Sequence, residues 1–349
     1  MTFKLLTKSR ARLVLLKVAR TFGGFAISRW LTRKGLRVLC YHGIWLGESH
    51  FSNFLFMSEA KFKRRIELIK KWDFPVLSLD QAIRGLENGT LPKCATVITI
   101  DDGWFGTFKI MVPELIAQGL PATIYSTSYF SEKQLPVFDV ALEYILTRAA
   151  PKVVDLASVD DGLSGDYQLA DVNDRELLAE RLSEHAGNID ALQAFQLLAR
   201  LAKQLDINFQ SLVEKRVFHL MSVAEIKAAA EQGVDIQLHT HRHRFPVDDP
   251  GLLRQEIDDN RRALSPLTTK PLKHFCYPSG VWTRAAFGTL SSLGIETAVT
   301  TEQGLNFSAA STLNLRRISD GEYVDELQFE AELSGFAEIV RRVRGGFGK

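Results

Sequence analysis

The 349-residue sequence has few cysteines and no long apolar run near its start, and both absences exclude classes of protein. Its three cysteines, Cys40, Cys94 and Cys276, are too few and too scattered for a disulfide framework or a cysteine-based zinc site. Each lies in or beside an apolar stretch, so we expect buried free thiols. The formal net charge is only +2, and this near balance gives no reason to expect a nucleic-acid partner.

Acidic residues are absent before Glu48, whereas residues 1–37 carry ten lysines and arginines. The longest apolar run in the first 36 residues is Leu13 to Leu16. A signal peptide needs about 7–15 apolar residues and a membrane span about 20. We therefore predict a basic amphipathic arm over 1–36, without signal peptide or transmembrane segment, in a cytoplasmic protein. Such an arm either contacts the inner face of a membrane or packs on the domain with its charges in solvent.

Short β-rich runs alternate with helical patterns, which favours an α/β fold with a parallel sheet and helices outside it. Seven candidate strands suit a closed or nearly closed barrel, and a doubly wound open sheet is also compatible with the pattern. The candidate strands are RVLCYH (37–42), PVLSL (75–79), ATVITID (95–101), PATIYST (121–127), VDIQLH (234–239), KHFCYP (273–278) and ETAVTT (296–301). The candidate helices cover 58–71, 80–88, 107–118, 222–232, 252–264 and 283–293.

The alternation is interrupted at residues 140–219, where an acidic stretch is followed by helical patterns. We interpret this region as a mostly helical insertion between two barrel strands. The predicted organisation is an arm (1–36), a first barrel part (37–139), the insertion (140–219), a second barrel part (220–325), and a C-terminal helix with a basic tail (326–349).

Several candidate strands run directly into polar residues. They lead into His42, into Asp101 and Asp102, into the segment His239 to His243, and into Pro278, Ser279 and Gly280. In a parallel sheet these endings converge on one face, where α/β proteins build their sites. Two imidazoles four residues apart, together with a carboxylate, form a ligand set for zinc or a similar divalent ion that leaves one position open.

The adjacent carboxylates of Asp101 and Asp102 also have a chemical rationale. Side chains alternate along a strand, so the two acids point in different directions. One can bind a metal ion, which lowers the pKa of a bound water from 15.7 to about 7. The other can then take the proton of that water as a general base.

Three motifs resemble those of the polysaccharide deacetylases, also called the NodB-homology domain or carbohydrate esterase family 4. They are VITIDDGW (97–104), LHTHRH (238–243) and FCYPSG (275–280). The resemblance extends over 36–320 apart from the insertion, and VLCYHG (38–43) is similar to a subgroup that acts on exopolysaccharide amino sugars. It implies a distorted (β/α) barrel and a hydrolase that removes N-acetyl groups from amino sugars of a polysaccharide, oligosaccharide or lipid-linked glycan.

The resemblance also implies residue roles. Asp101 would be the general base, and Asp102, His239 and His243 would hold one divalent ion, zinc or alternatively cobalt, nickel or iron, whose bound water is the nucleophile. The backbone N–H of Ser279 would stabilise the oxyanion of the tetrahedral intermediate. Thr240 would fix the loop between the two ligand histidines.

The sequence departs from the family pattern at two points. Cys276 occupies a position where the family often has an arginine that tunes the base. No histidine follows His274, although the last family motif often supplies one as general acid. The corresponding region, 312–320, offers Arg316, Arg317 and Asp320 instead. His42 is therefore our candidate acid, with a structural hydrogen bond at the barrel mouth as the alternative.

Two other functions are compatible with these motifs. The same metal site can act on an O-acetyl ester or on a non-sugar amide. Alternatively, the chain is a catalytically weak carbohydrate-binding or membrane-associated scaffold, which the missing acid histidine supports. The complete set of a free base and three metal ligands argues against a scaffold, because a pure binder needs neither.

Overall fold

The computed structural model of the protein describes residues 13–48, 50–51 and 53–346. Residues 1–12 of the predicted arm and 347–349 of the predicted basic tail lie outside the described residues. Among the described helices, none is both long and apolar enough to cross a bilayer.

Eleven strands form one large sheet and two small ones within the described residues. The strands that build the barrel are short and mostly buried, because helices cover the outside of the sheet. The strands are β1 (Arg37–Tyr41), β2 (Gly43–Ile44), β3 (Phe56–Met57), β4 (Thr96–Ile100), β5 (Thr123–Ser126), β6 (Lys152–Asp155), β7 (Asp166–Leu169), β8 (Asp235–Leu238), β9 (His274–Cys276), β10 (Thr297–Gln303) and β11 (Leu315–Ser319).

The large sheet is a closed barrel of seven parallel strands in the order β1-β11-β10-β9-β8-β5-β4. Strand β1 pairs with β4 along its whole length, from Arg37 opposite Thr96 to Tyr41 opposite Ile100. Its other edge pairs with β11, where Leu39 lies opposite Ile318. The predicted (β/α) barrel is confirmed, and the alternative of an open doubly wound sheet is excluded by this closure.

One predicted strand is wrong, and one strand of the barrel was missed. Residues 75–79 form no strand, since only Val76 makes an isolated bridge, to Thr96. The run ends early because Ser78 caps the following helix in a reciprocal capping box with Gln81. The missed strand is β11, whose sequence LRRIS places two arginines together and so lacks the apolar run that predicts a buried strand.

In the part of the chain that the structure describes, fifteen α-helices surround the barrel or lie in the segments that leave it. They are α1 (residues 13–21), α2 (Gly24–Leu31), α3 (Glu59–Lys71), α4 (Leu79–Glu87), α5 (Val112–Ala117), α6 (Tyr129–Lys133), α7 (Phe138–Arg148), α8 (Val172–Ala186), α9 (Ala191–Gln204), α10 (Phe209–Glu214), α11 (Val223–Glu231), α12 (Pro250–Leu264), α13 (Phe287–Ser292), α14 (Glu326–Leu333) and α15 (Phe336–Gly346). A turn of π-helix (Thr107–Met111) precedes α5.

Serine stands at the N-cap of both α11 and α3, but it caps only α11 with its side chain. Ser222 and Glu225 form a reciprocal capping box at the start of α11, and Gly233 follows that helix with a φ of 94°. Ser58 also stands at the N-cap of α3, but its side chain makes no capping bond. Its hydroxyl instead donates to Glu322, 3.3 Å away.

The region between β5 and β8 contains α7 to α10 and an antiparallel hairpin of β6 with β7. It has an apolar cluster of its own, to which Leu178, Leu182, Leu197 and Leu201 belong. Trp104, which follows β4, lies in the same cluster. The core of this region is therefore continuous with the turn that carries the two aspartates.

Candidate active site

The predicted site residues lie where four barrel strands end. His42 follows β1, Asp101 follows β4, His239 follows β8, and Tyr277 follows β9. Because these strands are parallel, their carboxyl ends open at the same mouth of the barrel. The two neighbouring pairs, β1 with β4 and β8 with β9, bring the four segments into contact.

The turn after β4 directs the side chains of Asp101 and Asp102 to different partners. Asp102 has a φ of 67° and Gly103 a φ of 84°, both in the left-handed region that aspartate and glycine tolerate best. The N–H of Gly103 donates to the carbonyl of Asp101 at 2.8 Å, which tightens the turn. A Cβ at Gly103 would lie 2.9 Å from Ser126 Oγ, so this position also has no room for a side chain.

Asp102, His239 and His243 direct one ligand atom each to a common point. Asp102 Oδ1 lies 3.2 Å from Nε2 of His239 and 3.4 Å from Nε2 of His243. The three atoms lie within 4.8 Å of one another. His239 and Asp102 are buried, while the His243 side chain is 37% exposed and faces the mouth. This donor set matches the three-ligand pattern of a catalytic zinc site.

Two of these side chains, His239 and Asp102, are each oriented by a further hydrogen bond. His239 Nδ1 lies 2.8 Å from the carbonyl oxygen of Cys276, so it carries the proton and leaves the Nε2 lone pair toward Asp102. Trp104 Nε1 donates to Asp102 Oδ2 at 2.7 Å, which leaves Oδ1 for the histidines. Metal-ligating histidines and carboxylates are usually held in this way, so the residues fit a bound divalent ion.

The electrostatics of this group also favour a cation. Burial opposes ionisation of Asp102, but the contact with His239 and the nearby His243 and His42 hold the pKa of that carboxyl below its usual range. Burial also disfavours an imidazolium at His239, yet Asp102 raises the pKa of His239 above its ordinary value. The carboxylate therefore draws positive charge to the point where the three ligand atoms meet.

Two other groups of ligand-type residues lie nearby and fit a metal ion less well. They are Cys40 with His42 and Asp101, and Asp101 with His239 and Cys276. Burial raises the pKa of both thiols, whereas a metal ligand must be a thiolate. Both groups also depend on Asp101, whose oxygens are already bound to a cationic side chain.

That side chain is Arg317. Its NH1 donates to Asp101 Oδ1 and its NH2 to Asp101 Oδ2, each at 2.7 Å. Arg317 is completely buried inside the barrel, where its Nε donates to the carbonyl of Thr300 at 2.7 Å. Burial would raise the pKa of Asp101, but the Arg317 guanidinium outweighs it and lowers that pKa to about 2. The side chain of Asp101 is therefore ionised at neutral pH.

His42 and Ser279 lie at the rim of the same mouth. His42 Nε2 is 3.7 Å from Asp101 Oδ2, and its side chain is partly exposed. Ser279 occupies the exposed turn after β9 with a φ of 56°, followed by Gly280 with a φ of 69°. A Cβ at Gly280 would lie 2.0 Å from Thr301 Oγ1, so only glycine fits this turn.

Other polar residues of the motifs point away from this site. His241 Nδ1 lies 2.8 Å from Ser128 Oγ, and Arg242 forms an ion pair of 3.0 Å with Glu256. Asp320 is bound by Arg65 at 2.8 Å in a separate buried pair. Arg316 lies 3.6 Å from Glu302 and is half exposed. Of the three charged residues in the 312–320 region, only Arg317 therefore contacts the site.

Known proteins resemble the chain in one sequence region and in overall fold. The polysaccharide deacetylase family model matches residues 199–298, which include both histidines of the candidate metal group. No curated protein matches the chain at the level of sequence.

Three solved structures have the same fold. One is the deacetylase PplD of Streptococcus pyogenes in complex with acetate, with a TM-score of 0.56, 16% identity, 86% of this chain and 98% of that chain covered. IcaB from Ammonifex degensii gives a TM-score of 0.52 at 16% identity, over 86% and 97% of the two chains. A de-N-acetylase from Aggregatibacter actinomycetemcomitans gives 0.53 at 14% identity, over 85% and 99%.

The resemblance to the polysaccharide deacetylases is confirmed. The expectation of an enzyme of this class is confirmed with it, and the match supports deacetylation of a glycan as the class of reaction.

Sequence reasoning missed two contacts of this site. Trp104 directly follows the Asp-Asp-Gly turn, and its indole N–H binds Asp102. Arg317 stood out in the sequence only as one of three charged residues in its region. The alternation of side chains along β11 would have selected it, because only one of two adjacent arginines can face the barrel interior.

Unusual backbone conformations cluster in the deacetylase motifs. Nine non-glycine residues among those described have a positive φ, and four of them are Asp102, Thr240, His243 and Ser279. Such conformations cost about 1–3 kcal/mol each and persist where the surroundings hold them. One such support is the Thr240 hydroxyl, which accepts the N–H of Arg244 at 3.1 Å and closes the loop that carries both histidines. Four of the nine positive-φ conformations thus lie at residues of the candidate site.

Proposed function

We propose that this chain is a metal-dependent hydrolase that removes N-acetyl groups from amino sugars of a polysaccharide, oligosaccharide or lipid-linked glycan. The observation that carries the proposal is the convergence of Asp102, His239 and His243 within 4.8 Å, beside a second carboxylate that contributes to no fitting metal group. The polysaccharide deacetylase match over residues 199–298 supports the substrate class.

Asp102, His239 and His243 would hold one divalent ion. Two imidazoles and a carboxylate suit zinc, and the same donors accept cobalt, nickel or iron. When bound, such an ion activates water and polarises the acetyl carbonyl as a Lewis acid. The hydrogen bonds from Trp104 and to the carbonyl of Cys276 keep the ligand atoms aimed at the ion before it binds.

Asp101 is the proposed general base. It adjoins the ligand Asp102, and its carboxylate is kept ionised by Arg317, so it can accept the proton of the attacking water. The same ion pair weakens its basicity, because a carboxyl with a pKa of about 2 is a poor proton acceptor. Arg317 thus orients the Asp101 carboxylate and keeps it ionised, but it also makes Asp101 a weaker base.

His42 is the proposed general acid. His239 and His243 belong to the candidate metal group with Asp102, and His241 contacts Ser128 instead. Among the described residues, His42 is therefore the remaining imidazole at the mouth of the barrel. When the amide C–N bond breaks, the acetyl carbon keeps the oxygen of water and leaves as acetate. The departing amine takes one proton, which His42 can deliver from its position beside Asp101.

Ser279 is the proposed oxyanion donor through its backbone N–H. The turn that carries it is held open by Gly280, whose missing side chain lets the chain pass close to Thr301. A donor of this kind is typically worth about 2.7–4 kcal/mol of transition-state stabilisation.

Acetate release tests the function. We expect purified protein to release acetate from at least one member of a panel of polymeric, short and lipid-linked N-acetylated glycans. A chelator should abolish the release and added zinc should restore it. An O-acetylated glycan is the comparison substrate. Release that is limited to the ester, or that is insensitive to the chelator, would contradict the proposal.

A further inference from the structure

The hairpin formed by α1 and α2 exposes an unusual amount of apolar surface. Nineteen large apolar side chains are exposed among the described residues, and seven of them lie between positions 14 and 31. We call these seven the hairpin face. They are Val14, Leu15, Val18, Phe22, Ile27, Trp30 and Leu31, each between 48% and 80% exposed.

These side chains follow helical spacing and so form outward stripes. Val14, Val18 and Phe22 are four residues apart along the first helix and the turn after it, and Ile27, Trp30 and Leu31 share one side of α2. The opposite sides of both helices pack on the protein, where Leu16 and Phe25 join Ala331 in a small core cluster. The hairpin is therefore already packed through other residues, and its outward stripes are additional.

The hairpin is held firmly on the barrel, so its face has a fixed direction. Arg29 donates to the carbonyl oxygens of Trp72 and Asp73 at 2.6 and 2.8 Å. Arg20 forms an ion pair of 2.9 Å with Glu330 on α14. The Phe25 and Phe336 rings lie 5.2 Å apart and add an aromatic contact to α15.

Positive charge accompanies this apolar surface. No acidic residue precedes Glu48 in the sequence. Lys17 and Lys34 are exposed beside the hairpin face, and the Arg33 guanidinium lies 4.5 Å from the centre of the Trp30 ring. Tryptophan and cationic side chains together are the usual anchors at a membrane–water interface. A second copy of this chain would instead bring like charges together.

We propose that the hairpin face is a docking surface for an anionic lipid bilayer. The apolar stripes enter the interface between headgroups and acyl chains, while Lys17, Arg33 and Lys34 lie among the lipid phosphates. The membrane contact predicted for the arm (1–36) is thereby assigned to the residues of the hairpin face and to these three cationic residues. The proposal does not depend on the catalytic function, because none of these residues belongs to the candidate site.

Docking by this face leaves the mouth of the barrel accessible. The helix α2 ends at Leu31, six residues before β1 begins, and the N–H of Cys94, just before β4, donates to the carbonyl of Arg33. The end of the hairpin therefore lies at the amino ends of the barrel strands, whereas the candidate site lies at their carboxyl ends. A bilayer on the hairpin face would not cover the site.

Vesicle co-sedimentation of the full chain tests the proposal. We expect binding to vesicles of phosphatidylcholine mixed with phosphatidylglycerol, and much weaker binding to phosphatidylcholine alone. The variant Val18→Ser/Phe22→Ser/Trp30→Ser should bind at least tenfold more weakly, because three apolar side chains no longer enter the interface between headgroups and acyl chains. The matched control is Val172→Ser/Leu177→Ser/Leu192→Ser, which removes three apolar groups of similar exposure from α8 and α9 and should bind as the wild type does.

The charge component has a separate variant. Lys17→Gln/Lys34→Gln should weaken binding to anionic vesicles about fivefold for each charge removed. Raising the salt from about 0.1 M to about 1 M shortens the Debye length from about 10 Å to about 3 Å and should have a similar effect. These lysines are exposed, so this variant keeps the proposal testable even if the serine variant fails to fold.

Three outcomes would overturn the proposal. Wild-type protein that stays in the supernatant with anionic vesicles has no such docking surface. Equal loss of binding in the hairpin and control variants would show that the protein binds vesicles by non-specific hydrophobic adsorption and not through the hairpin face. Finally, a self-associated wild type that the hairpin variant converts to a monomer, with no vesicle binding, would identify a second copy as the occupant.

Discussion

Arg317 binds the carboxylate of Asp101 with two hydrogen bonds of 2.7 Å from a strand that begins more than two hundred residues further along the chain. The family pattern led us to expect an arginine in the FCYPSG motif, where Cys276 stands instead. The guanidinium is supplied by β11, and Cys276 Sγ lies 3.5 Å from it. The pair is therefore retained although the arginine occupies another strand.

The candidate metal group predicts the metal content of the protein. Purified wild type should hold about one divalent ion per chain, and His239→Ala should lose it because two ligands then remain. His241→Ala is the matched control, since this histidine lies in the same loop but contacts Ser128. Elemental analysis after gel filtration measures the difference. A metal-free wild type would count against the site.

Asp101→Asn separates metal binding from base catalysis. The amide cannot accept the proton of water, so we expect acetate release to fall by about 10²–10⁴-fold while the metal content stays that of the wild type. Acetate release and elemental analysis on the same preparation check both points. An Asp101→Asn variant with full activity would show that another group is the base.

The Arg317–Asp101 pair should show strong energetic coupling. Arg317→Met leaves a buried carboxylate without its cation, which typically costs about 3–5 kcal/mol of folding free energy. Adding Asp101→Asn removes that charge and should recover much of the stability, but no activity. Urea unfolding of the two single variants and the double variant measures the coupling. Additive losses would mean that the two residues act independently.

Trp104 should affect metal affinity without being a ligand. In Trp104→Phe the hydrogen bond to Asp102 Oδ2 is lost, so the carboxylate is no longer held toward the histidines. Loss of such an outer contact typically weakens metal binding by about 10–100-fold. The matched control is Trp282→Phe, whose indole binds Glu302 instead. Competition with a fluorescent chelator compares the two, and equal affinities would refute this role.

Buried His219 should make stability depend on pH. Burial and the nearby Arg216 lower the pKa of His219 to about 4, and its Nδ1 has no hydrogen-bond partner among the described residues. The unfolded chain binds this proton near pH 6.5, so the free energy of unfolding should fall between about pH 6.5 and about pH 4. The loss amounts to about 2–3 kcal/mol.

The variant His219→Asn isolates this contribution. Urea unfolding at about pH 7.5 and about pH 4.5 should show a smaller loss of stability for the variant than for the wild type, by about 2 kcal/mol. If both proteins lose the same stability, His219 is not buried in its neutral form.

The sequence predicted those parts of the site that local patterns encode. Apolar runs that end in VITIDDGW and LHTHRH specify strands followed by polar residues, and parallel strands necessarily bring such endings to one mouth. These endings predict a ligand set of two histidines and one aspartate, and the resemblance to the polysaccharide deacetylases implies that the aspartate is Asp102. The structure brings the ligand atoms of Asp102, His239 and His243 within 4.8 Å. The predicted number of seven barrel strands also agrees with the structure, although residues 75–79 are not one of these strands and β11 is.

Only the tertiary structure determined the partners that are distant in sequence. The barrel closes through β11 against β1, and this closure carries Arg317 to Asp101, although LRRIS does not look like a buried strand. Conversely, PVLSL looks like a strand, but its last residues begin α4. A local pattern reports which surfaces of a segment avoid water. It does not report which distant segment covers them, because that choice depends on the packing of the whole barrel.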